Sequence, residues 1–223
     1  MLELKGLRFS FQNKIVFEAL NLTFQSDKII GIVGKNGVGK TTLFRSISGI
    51  FTPTSGEMHF NGMPFSKQQV GFLPTDPFFY TYMTGEEYLQ LVNGKVVKHY
   101  NDFLDLPLHE LIDTYSTGMR KKLAFSAIIS QRRPIQILDE PFNGVDLESN
   151  EMLKHIIQNE KQGKITLISS HVLSTLTDIC DEIYFIKEGF QCDYYAKNNF
   201  NDLHTHISED IKNKLEAINT LKD

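Results

Sequence analysis

The chain has 223 residues, carries 23 Lys+Arg against 27 Asp+Glu for a formal charge of −4, and is 41% hydrophobic with a pI near 6.0. This length fits one large domain that buries roughly 70–75% of its unfolded surface, and the slight acidity removes the basic footprint of a dedicated nucleic-acid binder. Two cysteines, Cys180 and Cys192, make no disulfide framework and fit a reducing compartment, and no charge-free apolar run reaches the length of about 18 residues that a membrane-spanning helix needs.

In chain order, the first segment places Glu3, Lys5 and Arg8 where a signal peptide would be apolar, so a soluble, intracellular chain is expected. Leu2 and Leu4 alternate with charge, and a second segment over residues 15–24 follows a Gln12-Asn13 turn, which predicts antiparallel strands. Three apolar runs, residues 28–33, 135–138 and 164–169, are rich in β-branched residues and do not alternate. Such runs read as strands buried on both faces of a parallel sheet. A helix over residues 43–48 follows the first. Residues 84–114 carry Tyr88, Leu89, Leu91, Val92, Phe103 and Leu104 at helical spacings, with Gly94 and Pro107 as punctuation, and read as a small helical insertion. After the second run, Asp146 is a plausible N-cap for a helix with Met152, Leu153, Ile156 and Ile157 on one stripe, ending before Gly163. The third run then closes a β-α-β unit. In the tail, Ile211, Leu215, Ile218 and Leu221 form an amphipathic stripe, with Ser208 as N-cap and Glu209 and Asp210 set against the helix dipole. His204 and His206 read as solvated.

The strongest local signal is Gly34-Lys35-Asn36-Gly37-Val38-Gly39-Lys40-Thr41-Thr42, a G-x-x-x-x-G-K-[ST] pattern between a buried strand and a helix. Glycines let consecutive N–H groups point inward at phosphate oxygens while the helix presents its positive end. Lys40 reaches the β- and γ-phosphates, and the Thr41 hydroxyl can ligate Mg²⁺. The four fixed positions recur by chance in on the order of one in a hundred chains of this length, so the strand-before, helix-after context is what makes the reading specific. A second element agrees with it. The strand ending Leu138-Asp139-Glu140 sets two carboxylates at the C-terminal sheet edge, where ligands of open α/β sheets bind. Adjacent acids at the end of an apolar strand are costly unless a cation uses them. Asp139 is the expected outer-sphere Mg²⁺ ligand and Glu140 the general base or water-polarising group, a role worth about 10²–10⁴-fold in rate.

With these residues in place, the sequence over residues 2–195 resembles the nucleotide-binding subunit of ATP-binding cassette (ABC) proteins. Tyr115-Ser116-Thr117-Gly118-Met119-Arg120 occupies the place of the L-S-G-G-Q signature, ahead of a helix over residues 121–129. Residues 141–146, with Asn143 and Asp146, look like the D-loop. Ser169-Ser170-His171 looks like the switch histidine, and Phe11 stands where the family stacks an aromatic on adenine. The resemblance implies that Ser116 and the Gly118 N–H meet a γ-phosphate across a dimer interface, that His171 also contacts that phosphate, and that Asn143 and Asp146 communicate between two sites. Two positions depart from the family. Thr75 replaces the Gln or Glu of the Q-loop and is shorter by one to two carbons, so a water is expected between its hydroxyl and Mg²⁺. Thr117 replaces the first signature glycine. The wording of residues 74–89 and 115–119 looks most like ATPases of ABC-2-type exporters.

The resulting expectation is an α/β P-loop NTPase core with a mainly parallel sheet, an N-terminal antiparallel β subdomain and a short helical subdomain. Its bounds are 1–223 for the single ABC ATPase domain, 76–133 for the reduced helical subdomain within it and 196–223 for the C-terminal helical tail. The function implied is an ATP- and Mg²⁺-dependent ATPase subunit that forms a homodimer or heterodimer around two ATP. It would drive a separate integral membrane permease from the cytoplasmic face of the membrane, docking through residues 75–114, with no nucleic acid involved. The rival readings are a soluble ABC-type ATPase acting as an assembly or mechanical factor and, more remotely, a P-loop kinase or GTPase.

Overall fold

Two long strands of alternating burial form the heart of one sheet, and three strands of continuous burial form the centre of the other. The computed structural model describes residues 1–220 apart from residue 13, residues 95–99 and residues 101–103. Strands β1 (Leu2–Phe11) and β2 (Lys14–Phe24) pair antiparallel and extend through β4 (Ser55–Phe60) and β5 (Met63–Pro64) in the order β2-β1-β4-β5. The expected turn residue Asn13 lies outside the described residues. A second, six-stranded sheet contains β3 (Lys28–Gly34), β6 (Val70–Leu73), β7 (Ile135–Asp139), β8 (Ile165–Ser169), β9 (Glu182–Ile186) and β10 (Cys192–Ala196), in the order β10-β9-β3-β8-β7-β6. All of its neighbours run parallel except β10 against β9.

The three apolar runs are β3, β7 and β8, and their side chains divide between two cores by the period-two rule of a strand. Ile30, Ile32, Ile135, Ile137, Ile165 and Leu167 pack toward the antiparallel sheet and helix α1 (Lys40–Ile47), with Leu4, Phe17, Phe24, Leu43 and Phe44. Ile29, Val33, Leu138 and Ile168 pack on the other face, against α2 (Gly85–Asn93), α3 (Thr117–Ser130), α4 (Leu147–Asn159) and α5 (Leu173–Ile179). Gly31 sits where a Cβ would lie 3.0 Å from Ile183 Cγ1 and 3.2 Å from Cys180 Sγ, so the close packing of this face requires its missing side chain. Parallel pairing also aligns the strand ends. Asp139 pairs with Ser169, and Ser169 with Ile32, so the C-terminal ends of β7, β8 and β3 share one edge.

Helix starts differ from the sequence expectation by up to two turns. The helix after the glycine loop begins at Lys40 rather than residue 43, because Gly39, in a left-handed conformation at φ +113°, turns the chain straight into it. Helix α3 begins at Thr117 rather than residue 121, since the Ser116 hydroxyl accepts the Met119 N–H and caps it. Asp146 caps α4 as expected, accepting the Ser149 N–H at 2.9 Å, and Leu153, Ile156 and Ile157 are buried beneath it. Thr84 and Glu87 form a capping box at the start of α2. The last helix, α6 (Phe200–Thr220), starts eight residues before Ser208, which is therefore an exposed residue inside it and not a cap. Its first turn carries Asp202, and Phe200 and Leu203 are buried against the body. His206 is half-buried rather than solvated, its Nδ1 2.7 Å from the Tyr195 hydroxyl, whereas His204 is exposed. Phe103, Leu221 and the side chains of Ile211, Leu215 and Ile218 lie outside the described residues. Among the described residues, no helix is long and apolar enough to cross a membrane.

Candidate functional site

The site grows from the point where β3 ends and the chain loops into α1. Gly37 and Gly39 both have positive φ, +78° and +113°, the left-handed region that glycine enters without steric cost. At Gly39 a Cβ would come within 2.6 Å of Val16 Cγ1 and 3.0 Å of the Phe190 ring. No side chain caps α1, so its first N–H groups remain available to an anion. Lys40 is nearly buried and folds back over the loop, its ammonium donating to the Gly34 carbonyl at 2.7 Å and the Lys35 carbonyl at 3.2 Å. Burial lowers its pKa, and the negative charges of Glu140 and Asp139 oppose that shift. Both contacts are neutral carbonyls, so the lysine charge is not consumed by an ion pair.

The acidic pair sits across the same edge and is organised by hydroxyls. Asp139, 1% exposed, receives Ser169 Oγ–H on Oδ1 at 2.6 Å, and Thr41 and Thr75 hydroxyls on Oδ2 at 2.9 and 3.0 Å. Ser169 in turn accepts the Glu140 N–H at 3.0 Å. Glu140 is buried with φ +54°, a left-handed conformation that is rare for a residue with a Cβ. Its Oε2 accepts the His171 N–H at 3.1 Å, and His171 Nε2 stands 3.2 Å from Oε1. Burial raises the Glu140 pKa above the usual carboxylate range; His171 pulls it down and Asp139 pushes it further up.

These groups converge on a cavity of about 400 Å³. Its wall is formed by Phe11, Lys14 and Val16, by Asn36, Gly37, Gly39, Lys40, Thr41 and Thr42 of the loop and α1, and by Thr75, Asp139, Glu140 and His171. Phe11 is 48% exposed and stands edge-on to Phe9 and Phe51, at 5.0 and 5.5 Å between ring centroids. Gly34, Lys35 and Val38 belong to the loop but not to the cavity wall. At Gly34 a Cβ would meet the Ile186 carbonyl at 2.5 Å. Ser116 and Gly118 are also off this wall, at the start of α3, where Ser116 caps the helix and a Cβ on Gly118 would lie 3.0 Å from the Gly144 carbonyl. One chain therefore does not bring the signature-like residues to its own phosphate loop.

Two participants escape sequence reasoning. Ser169 falls in a recognised motif, yet its two hydrogen bonds, donated to Asp139 and accepted from the Glu140 N–H, depend on register with β7, about 30 residues away. Lys121 reads only as the start of a helix. The oxygen-only donors around Asp139 Oδ2, a carboxylate and two hydroxyls, suit a hard divalent cation that keeps waters and substrate oxygens in its shell. Thr41, Asp139 and Thr75 are the residues that could hold Mg²⁺.

Comparison with known proteins gives a consistent result. The sequence model of the ABC transporter family matches residues 17–143. The bacitracin transport ATP-binding protein BcrA of Bacillus licheniformis is 32% identical over 216 residues, covering 86% of this chain and 70% of that protein. Among solved structures, the ATP-binding subunit of an ABC transporter superposes with a TM-score of 0.79 at 24% identity, over 92% of this chain and 93% of that one. A dimeric ATP-binding cassette in a post-hydrolysis state, bound to ADP and Pi, gives a TM-score of 0.77 at 18% identity, over 88% and 99%. At these identities the two structures establish likeness of fold.

Proposed function

The chain belongs to the ABC transporter family and is one of its ATP-hydrolysing, ATP-binding subunits, and on that premise we propose that it closes as a dimer around two ATP molecules to power a separate membrane-spanning permease of an exporter. The observation that carries this reading is the convergence of Lys40, Thr41, Asp139, Glu140 and His171 on one cavity wall. The loop N–H groups and the Lys40 ammonium bind the β- and γ-phosphates, where their preorganised positive charge meets the charge that builds on the transferred phosphoryl group. Phe11 stacks on the adenine. Thr41 through its hydroxyl, Asp139 from the outer sphere and Thr75 through water would hold Mg²⁺, which would supply Lewis-acid neutralisation of the phosphate oxygens. Glu140, ionised, accepts a proton from the attacking water, and the His171 N–H on Oε2 holds the carboxylate in that aim.

The dimer is supported by what one chain's cavity lacks: Ser116 and Gly118 stand away from it, so a second copy supplies them to the γ-phosphate. ATP bound between the two surfaces then favours the closed pair, and hydrolysis releases it. Exposed Phe78, Tyr80 and Tyr82, on the segment that follows Thr75, supply apolar area for the permease at the cytoplasmic face of the membrane. The transport role named for the bacitracin relative supports the exporter assignment. Gel filtration of Glu140→Gln tests the dimer: the account expects a monomer without nucleotide and a dimer with Mg-ATP. A monomer under both conditions contradicts the proposal.

A further inference from the structure

Lys121 is 4% exposed, yet it carries an ammonium into the protein beside two functional loops. It lies one turn into α3, and its Nζ donates to the Thr75 carbonyl at 2.5 Å and the Glu140 carbonyl at 3.1 Å. A buried ammonium is costly unless its protons are used. Burial lowers its pKa, while the charges of Asp76, Glu140 and Asp139 favour its protonated form. It does not wall the nucleotide cavity. Instead it lines a neighbouring cavity of about 250 Å³ with Thr75, Asp76, Asn143 and Gly144.

The Glu140 backbone is consequently held from both sides. Ser169 Oγ takes its N–H at 3.0 Å, and its carbonyl receives Lys121 at 3.1 Å together with the Asn143 N–H at 3.3 Å. That clamp falls on a residue whose φ of +54° must be imposed by its surroundings. Thr75 is held in parallel, its hydroxyl on Asp139 and its carbonyl on Lys121. We propose that Lys121 is a positioning residue for hydrolysis: its ammonium ties the Thr75 carbonyl to the Glu140 carbonyl, fixing the aim of the Glu140 carboxylate and joining it to the segment that leads to the exposed aromatics. This rests on the reading of Glu140 as the group that accepts the water proton.

The test measures Mg-ATP turnover, equilibrium binding of a fluorescent ATP analogue and thermal unfolding for Lys121→Met, which keeps the length without donors, and Lys121→Gln, which keeps one amide donor group. Loss of an orienting contact of this kind lowers activity by about 10–100-fold. Lys121→Met is expected to lose that factor in kcat with KM and analogue affinity within about two-fold, and Lys121→Gln to fall between Met and wild type. In the Glu140→Gln background Lys121→Met is expected to remove nothing further, because no carboxylate is left to aim. An unchanged kcat in Lys121→Met, a parallel loss of kcat and nucleotide affinity, equal rates for Gln and Met, or additive losses in the double variant would each overturn the proposal. Wild-type turnover in Glu140→Gln alone would instead remove the assignment of Glu140 on which it stands.

Discussion

Replacing Ser169 by alanine removes a single oxygen from a fully buried position, so it leaves little cavity and its effect isolates two hydrogen bonds. One is donated to the Asp139 carboxylate at 2.6 Å and the other accepted from the Glu140 N–H at 3.0 Å. A bond to a charged group contributes about 1.5–3 kcal/mol and a neutral one about 0.5–1.5 kcal/mol, a combined loss of about 2–4.5 kcal/mol. For a domain of this size each kcal/mol moves Tm by about 2–4 °C, which places Ser169→Ala about 4–18 °C below wild type. Its neighbour provides the contrast. Ser170 is also buried, but its hydroxyl oxygen accepts the Val172 N–H at 3.1 Å and touches neither acid, so Ser170→Ala is expected to cost about 0.5–1.5 kcal/mol. Scanning calorimetry or thermal unfolding followed by circular dichroism measures both. A Ser169→Ala protein melting within about 1 °C of wild type, or a larger loss in Ser170→Ala, would refute the claim that Ser169 anchors the acidic pair.

Lys40→Ala should reduce Mg-ATP hydrolysis by about 100-fold or more, since it removes the positive charge aimed at the transferred phosphate; unchanged Mg-dependent phosphate release overturns that role. Because burial raises the Glu140 pKa and the base must be ionised to act, the acidic limb of the kcat/KM profile should lie above the ordinary glutamate range. His171 pulls that pKa down, so in His171→Ala the limb should move to higher pH. A limb that stays in place or moves to lower pH contradicts the coupling. Thr75→Val keeps the shape and deletes the hydroxyl 3.0 Å from Asp139. The Mg²⁺ concentration for half-maximal turnover should then rise by about 10-fold or more, and an unaltered Mg²⁺ titration would remove Thr75 from the metal site.

The parts of the fold legible in the sequence are those written in consecutive residues. β3, β7 and β8 could be read because strands covered on both faces need uninterrupted apolar runs, and their burial is continuous. The strands β4, β5, β6, β9 and β10 escaped that reading. β4 is wholly exposed or half-exposed, β5 has two residues, and the alternating burial of β6 spans only four, too few to stand out as a pattern. Helix starts were misplaced where the cap is a glycine turn or a serine that reads equally well as a functional hydroxyl, as at Gly39 and Ser116. The start of α6 was placed at Ser208 because a polar residue ahead of an apolar stripe looks like a cap, while Phe200 and Leu203 anchor the helix earlier.

The same distinction holds in the site. The glycine loop and the Asp139-Glu140 pair each lie within one short stretch, and the chemistry of each follows from spacing. The contacts of Ser169 and Lys121 with these acids are set by sheet register and by the packing of α3, across 30 and 19 residues of chain. No local pattern encodes such a meeting. Thr75 is intermediate: its position after Leu73-Pro74 marked it, and the structure gives its hydroxyl a partner in Asp139.

The most direct test of the account is phosphate release from Mg-ATP by the purified chain and its Glu140→Gln variant, with ATP binding measured on the same samples. Retained ATP binding with release lowered by about 10²–10⁴-fold is the predicted result, since the variant keeps the phosphate loop and loses only the proton acceptor. Equal release by the two proteins at equal ATP occupancy would contradict it.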